Sequence, residues 1–172
     1  VEMEKRELDA KILLAIMAAK KGHKVALTKR SRLYEKLHLI ESGFIFLKSF
    51  GAKIDIYLNK FKKYGHKITG IDEEGLQVYD KDWIVGSLRF SKKIPEYLDL
   101  IFSWGENSKK IYDEYFQSIK KNIRVVASGN PRIDVIKKKL ISHFSDDVKK
   151  ITSTYKNYTL IATNFLGNNR AG

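Results

Sequence analysis

A Rossmann-like, doubly wound α/β fold on a parallel sheet is predicted by three features of this sequence. Short apolar runs with strand character alternate with segments of helical period, the pattern of parallel strands joined by crossover helices. Glycines stand where two of the helical patterns stop, at Gly22 and Gly65. Polar turn clusters follow several of the apolar runs directly, where the carboxyl edge of such a sheet would carry them.

Taken in order, Leu8, Ile12, Ala15, Ile16 and Ala19 recur at helical spacing and predict a helix over Arg6 to Lys21, closed by Gly22. Lys24 to Thr28 then reads as a short buried strand, and Ser31 as the cap of a second helix reaching about Leu39. Phe44 to Leu47 is the next strand and Asp55 to Tyr64 the next helix. The strand Lys67 to Ile71 runs into the turn Asp72-Glu73-Glu74-Gly75. Leu100 to Ser103 leads into Trp104-Gly105 and a helix over Ser108 to Ile119. Arg124 to Ala127 leads into Ser128-Gly129-Asn130-Pro131, after which Asp134 to Tyr155 reads as mostly helical. A last strand, Tyr158 to Ala162, ends at Thr163-Asn164-Phe165.

The first helix has only Val1 to Glu4 before it, and the last strand has no partner after it. Both ends therefore read as truncated, since a lone strand makes no sheet. The expected division is residues 1–135, an amino-terminal domain with a shortened first strand, and residues 136–172, a connecting helix with the first strand of a second domain.

Composition narrows the class. Of 172 residues, 43% are hydrophobic and 31% charged, as in globular domains, and the absence of cysteine excludes disulfides and thiolate metal sites. The longest apolar stretch, Ile12 to Ala19, is far short of a bilayer span. A net charge of +13 has two readings. The lysines are solvated helix faces, or they attract an anionic partner such as a membrane leaflet, a lipid-linked phosphate, a nucleotide or a nucleic acid. Their spread over several helices argues against a single nucleic-acid-binding stripe.

Candidate site residues fall at predicted strand ends. Arg6 and Glu7 open the first helix, where free N–H groups and the positive dipole end favour anions. Asp72, Glu73 and Glu74 crowd three carboxylates into one turn, which raises at least one proton affinity and invites acid–base work. Trp104 offers a ring to a sugar or base, or else packs on a neighbouring loop. Gly129, Asn130 and Arg132 form a turn suited to a hinge, and Thr163 and Asn164 offer hydroxyl and amide groups beyond it. There is no dinucleotide fingerprint, P-loop or nucleophile elbow, and the scattered His23, His38, His66 and His143 read as non-ligands.

In order along the chain, RELDAK (6–11), DEEGL (72–76), SWG (103–105), GNPRID (129–134) and ATNF (162–165) resemble the bacterial surface carbohydrate biosynthesis protein family. The resemblance implies a GT-B glycosyltransferase, two Rossmann-like domains facing each other across a cleft. Its substrates would be a nucleotide-sugar donor, such as a CMP-linked acidic sugar, and a glycan or lipid-linked glycan acceptor. It implies no metal or other cofactor, and a cytoplasmic location, peripheral at the inner face of the plasma membrane. By the same resemblance Glu73 or Glu74 would be the general acid/base or an acceptor-orienting carboxylate, Arg6 and Glu7 would shape the acceptor side, and Asn130 and Arg132 would sit at the hinge and touch donor or acceptor. This polypeptide alone would then be inactive, the donor domain being almost absent. The GNPRID turn also resembles nucleotide-sugar epimerases of the same fold, which stand as the alternative enzyme, and a basic nucleic-acid-binding module is the alternative outside enzymes.

Overall fold

A computed structural model describes residues 4–87, 89–137 and 139–161. They fall into two compact units that divide between Val135 and Ile136.

The first unit opens with α1 (Glu4–Lys20) and α2 (Arg30–Lys36). It continues through β1 (Phe44–Leu47), α3 (Asp55–Lys63), β2 (Lys67–Ile71), α4 (Lys81–Gly86) and β3 (Leu98–Ser103). Helix α5 (Glu106–Ser118), β4 (Arg124–Ala127) and α6 (Pro131–Val135) complete it. The strands form one all-parallel sheet in the order β1-β2-β3-β4, with helices on both faces, a Rossmann-like α/β arrangement. Consecutive parallel neighbours with right-handed crossovers carry α3, α4 and α5 to the same face. Their Leu58, Phe61, Ile84, Tyr112 and Phe116 pack there with Ile45, Leu47, Ile68, Ile101 and Val125 to make the main core. The opposite face presents Phe46, Thr69, Ile71 and Phe102. The rings of Phe46 and Phe102 approach to 6.0 Å, and Lys11 of α1 lies over Phe46 at 5.1 Å.

Helix ends follow local chemistry. Gly22 and Gly65 take the left-handed conformation, at φ +86° and +75°. In both, the amide beyond the glycine reaches five residues back, His23 N to Ala18 O at 3.2 Å and His66 N to Phe61 O at 3.0 Å. Helix α5 ends the same way without glycine: Lys120 sits at φ +56°, and Lys121 N bonds Phe116 O at 2.8 Å. An L side chain there costs about 1 kcal/mol. Lys120→Gly should therefore raise the melting temperature by about 3 °C in a thermal scan, partly offset by the freer unfolded chain.

Several elements differ from expectation. Lys24 to Thr28 is not a strand; among the described residues its backbone joins no sheet, and Val25 and Leu27 are exposed. Apolar alternation alone does not make a strand when no edge receives its backbone groups. Ser31 is not a cap, because α2 starts at Arg30 and Lys29 holds the cap position without a side-chain bond. The expected helical character of residues 134–155 is present, but in separate pieces: after α6 comes the second unit, in which a 3-10 turn over Ile141–Phe144 leads into α7 (Ser145–Thr154). Tyr158 to Ile161 has no regular structure, and the rest of that expected strand lies outside the described residues.

Candidate functional site

The strands point their carboxyl ends to one rim, and short bonds tie the turns there together. After β1, the carbonyl of Lys48 accepts from Glu73 N at 3.1 Å, joining the ends of β1 and β2. The Trp104 indole N–H, just beyond β3, donates to the carbonyl of Asp72 at 2.7 Å, joining β2 to β3. The amides of Ser128 and Gly129 both reach the carbonyl of Ser103 at 3.2 Å, joining β3 to β4. The acidic turn, the tryptophan turn and the Gly129–Asn130 turn are therefore neighbours along a single edge.

Helix α1 adds the charges beneath that edge. Glu7 and Lys11 share a helical face, being four residues apart. The buried Glu7 carboxylate accepts from Lys48 Nζ at 2.6 Å, and Lys11 Nζ donates to the buried Glu73. Such pairs hold their geometry because removing one member strands the other in low dielectric.

The acidic turn does not keep its carboxylates together. Arg89 grips Asp72 with two nitrogens, Nε at 2.8 Å from Oδ2 and Nη2 on Oδ1, and gives Nη1 to Glu74 at 2.9 Å. Glu73 turns the other way, to Lys11. Burial pushes the Asp72 carboxyl above its ordinary range, against the downward pull of the Arg89 hydrogen bond and charge; the neighbouring Glu74 adds a smaller upward push. Desolvation, rather than the mutual repulsion expected from the sequence, is thus the leading cause. Glu74 is the solvent-facing member of the three, 58% exposed against 7% for Glu73 and 2% for Asp72.

Behind the turn, Gly75 leaves room for α5. A Cβ there would lie 3.0 Å from the Tyr112 hydroxyl and 3.1 Å from Asp72 Cβ. Burial raises the Tyr112 phenol well above its usual range, and the Asp72 charge adds to this. On the far side, Asn130 is 3% exposed; its Oδ1 accepts from Arg132 N at 2.9 Å, fixing the first turn of α6. Its Nδ2 is buried and meets no acceptor among the described residues. Gly129, at φ +76°, gives the chain the bend that brings Asn130 inward.

Of the residues singled out in the sequence, Glu7, Asp72, Glu73, Glu74, Trp104, Gly129, Asn130 and Arg132 gather along this rim or in the helix that leaves it. Arg6 lies early in α1, with its side chain outside the described residues, as are Thr163 and Asn164 altogether. Lys11, Lys48 and Arg89 are rim residues that sequence reasoning missed. Lys48 is the first residue past a strand, and Lys11 is one helical turn from Glu7, so position alone could have flagged both. Arg89 had no such signal. Among the described residues no cluster of histidine, cysteine or carboxylate could hold a metal ion, and no helix is long and apolar enough to cross a membrane. No protein-family model, curated protein or solved structure matches the chain.

Proposed function

We propose that this chain supplies the acceptor-side domain of a GT-B glycosyltransferase of bacterial surface-carbohydrate biosynthesis. In this reading the enzyme moves a sugar from a nucleotide-sugar donor, such as a CMP-linked acidic sugar, to a glycan or lipid-linked glycan acceptor. The observation that carries the reading is the adjacency of the acidic and tryptophan turns, through the bond from Trp104 Nε1 to Asp72 O, on the carboxyl edge of a parallel sheet. Open α/β sheets bind ligands at that edge, and here it offers carboxylates, an aromatic ring and fixed cations to a polyhydroxylated molecule.

The exposed Glu74 takes the role of base. It receives the proton of an acceptor hydroxyl as that oxygen bonds the anomeric carbon and the nucleotide departs with its own oxygen. Glu73, held by Lys11, orients the acceptor from behind. A net charge of +13 suits work beside an anionic inner leaflet, where lipid-linked acceptors reside.

The test is turnover by the intact natural polypeptide, read as nucleotide release from CMP- and UDP-sugars in the presence of glycan acceptors. Glu74→Gln, and separately Glu73→Gln, should lower kcat; a drop of about 10²-fold in at least one is the expected result. Full turnover in both variants would remove the acidic turn from the chemistry.

A further inference from the structure

A hollow of about 480 Å³ opens beside the rim, between the segment Val78–Asp80 and the outer face of α5. Both walls continue directly from the candidate site. Asp72–Glu74 passes through the 3-10 turn Gly75–Gln77 into Val78, and Trp104-Gly105 passes into α5. Helix α5 lines the hollow with Asn107, Lys110, Ile111 and Glu114, spaced to fall on one helical face.

The lining is chemically specific. Tyr79 is 68% exposed, and its ring meets that of Trp83 in a T-shaped contact with centroids 5.9 Å apart, which steadies it at the surface. On the adjoining face of α5, Lys109 and Asp113 satisfy each other at 2.6 Å. The side chains of Asn107, Lys110 and Glu114 have no hydrogen bond or ion pair among the described residues. Asp80 uses Oδ1 to accept from Trp83 N at 2.7 Å, which fixes its carboxylate at the mouth. A ring face beside mixed donors and acceptors is the surface that a pyranose needs, with C–H groups on the ring and hydroxyls to the polar side chains.

The lining sets two carboxylates, Asp80 and Glu114, against one cation, Lys110, so it holds no cluster of cations to grip a phosphate. We propose that this groove is a subsite for one or two neutral, hydroxyl-rich sugar units, continuing an acceptor glycan outward from the rim. The subsite rests on the glycan reading of the rim for its role, but it is tested separately.

The two tryptophans of the chain separate the sites: Trp83 touches Tyr79 of the groove, and Trp104 belongs to the rim. Their indole ¹⁵N–¹H signals, assigned with Trp104→Phe, are followed during titration with maltotriose and with tri-N-acetylchitotriose. At least one trisaccharide should shift the Trp83 signal saturably, with a Kd in the millimolar range. Tyr79→Ala should weaken that binding about tenfold or more and Tyr79→Phe should preserve it; about 1.4 kcal/mol separates the two outcomes. CMP should leave Trp83 unmoved. A Trp83 signal unmoved by both sugars to about 20 mM, which excludes even weak binding, or one that moves equally in Tyr79→Ala, overturns the subsite. Movement of Trp104 alone would sink the groove and leave the rim reading intact; movement of Trp83 alone would support the groove and count against the rim.

Discussion

Replacing Gly70 by alanine should unfold the sheet at its β1 edge. Gly70 pairs with Leu47 of β1 on one side and Ile101 of β3 on the other. A Cβ built on it would lie 2.1 Å from the carbonyl oxygen of Leu47, 2.8 Å from its carbonyl carbon and 2.9 Å from its nitrogen. All three are backbone atoms, so no rotamer change relieves the overlap, and β1 must leave its register. The main core would open with it, because Ile45 and Leu47 project from that strand. Overpacking typically costs about 1–3 kcal/mol. A backbone collision of this size belongs at or beyond the upper end, a large share of the roughly 5–15 kcal/mol that holds a domain together.

Urea unfolding should place the Gly70→Ala midpoint far below that of the parent, or find the variant already unfolded. Gly86→Ala is the matched control. It adds the same methyl group at a position where nothing lies within 4 Å, so it should be neutral or slightly stabilising. Equal midpoints for the two variants would show that β1 does not approach Gly70 as described. The rim would report the same event, since Lys48, the next residue after Leu47, holds both Glu7 and the Glu73 amide.

How much of this was legible in the sequence depended on range. The run Lys67 to Ile71 and its acidic turn could be read locally, because strand propensity and the turn residues sit within one short window. So could the glycine stops at Gly22 and Gly65, where the left-handed conformation is demanded by the helix end itself. The need for glycine at position 70 could not, because it arises from the strand alongside and not from its own neighbours. The ion pairs are further out of reach: Lys48 and Glu7 are 41 residues apart, and Lys11 and Glu73 are 62 apart. Lys24 to Thr28 failed for the complementary reason. It has the composition of a strand, but its pairing depends on an edge that local sequence does not specify.

Arg89 carries the second large effect, and pH gives it a distinctive form. Asp72 is buried, and its folded-state proton affinity is raised from the ordinary value of 3.8 by desolvation, with Arg89 pulling in the other direction. A carboxyl raised on folding binds its proton more tightly in the native state. Its contribution to stability is therefore complete below 3.8 and is lost as pH climbs through the elevated native value. Removing Arg89 deletes both its hydrogen bonds and its charge, so that native value rises further and the loss above it grows. Arg89→Met, which keeps most of the volume, should thus lie near the parent in acid, where Asp72 is neutral in both proteins. Near neutrality the two should separate by about 3–5 kcal/mol, the usual consequence of a buried charge left alone. Urea midpoints measured across that range supply the test, and curves that stay parallel would contradict it. Adding Asp72→Asn to Arg89→Met removes the stranded charge and should recover much of the stability at neutral pH. It should not restore turnover if the proposed chemistry is right, because Arg89 also positions Glu74. Stability regained without catalysis would separate the structural role of this pair from its role in holding the base.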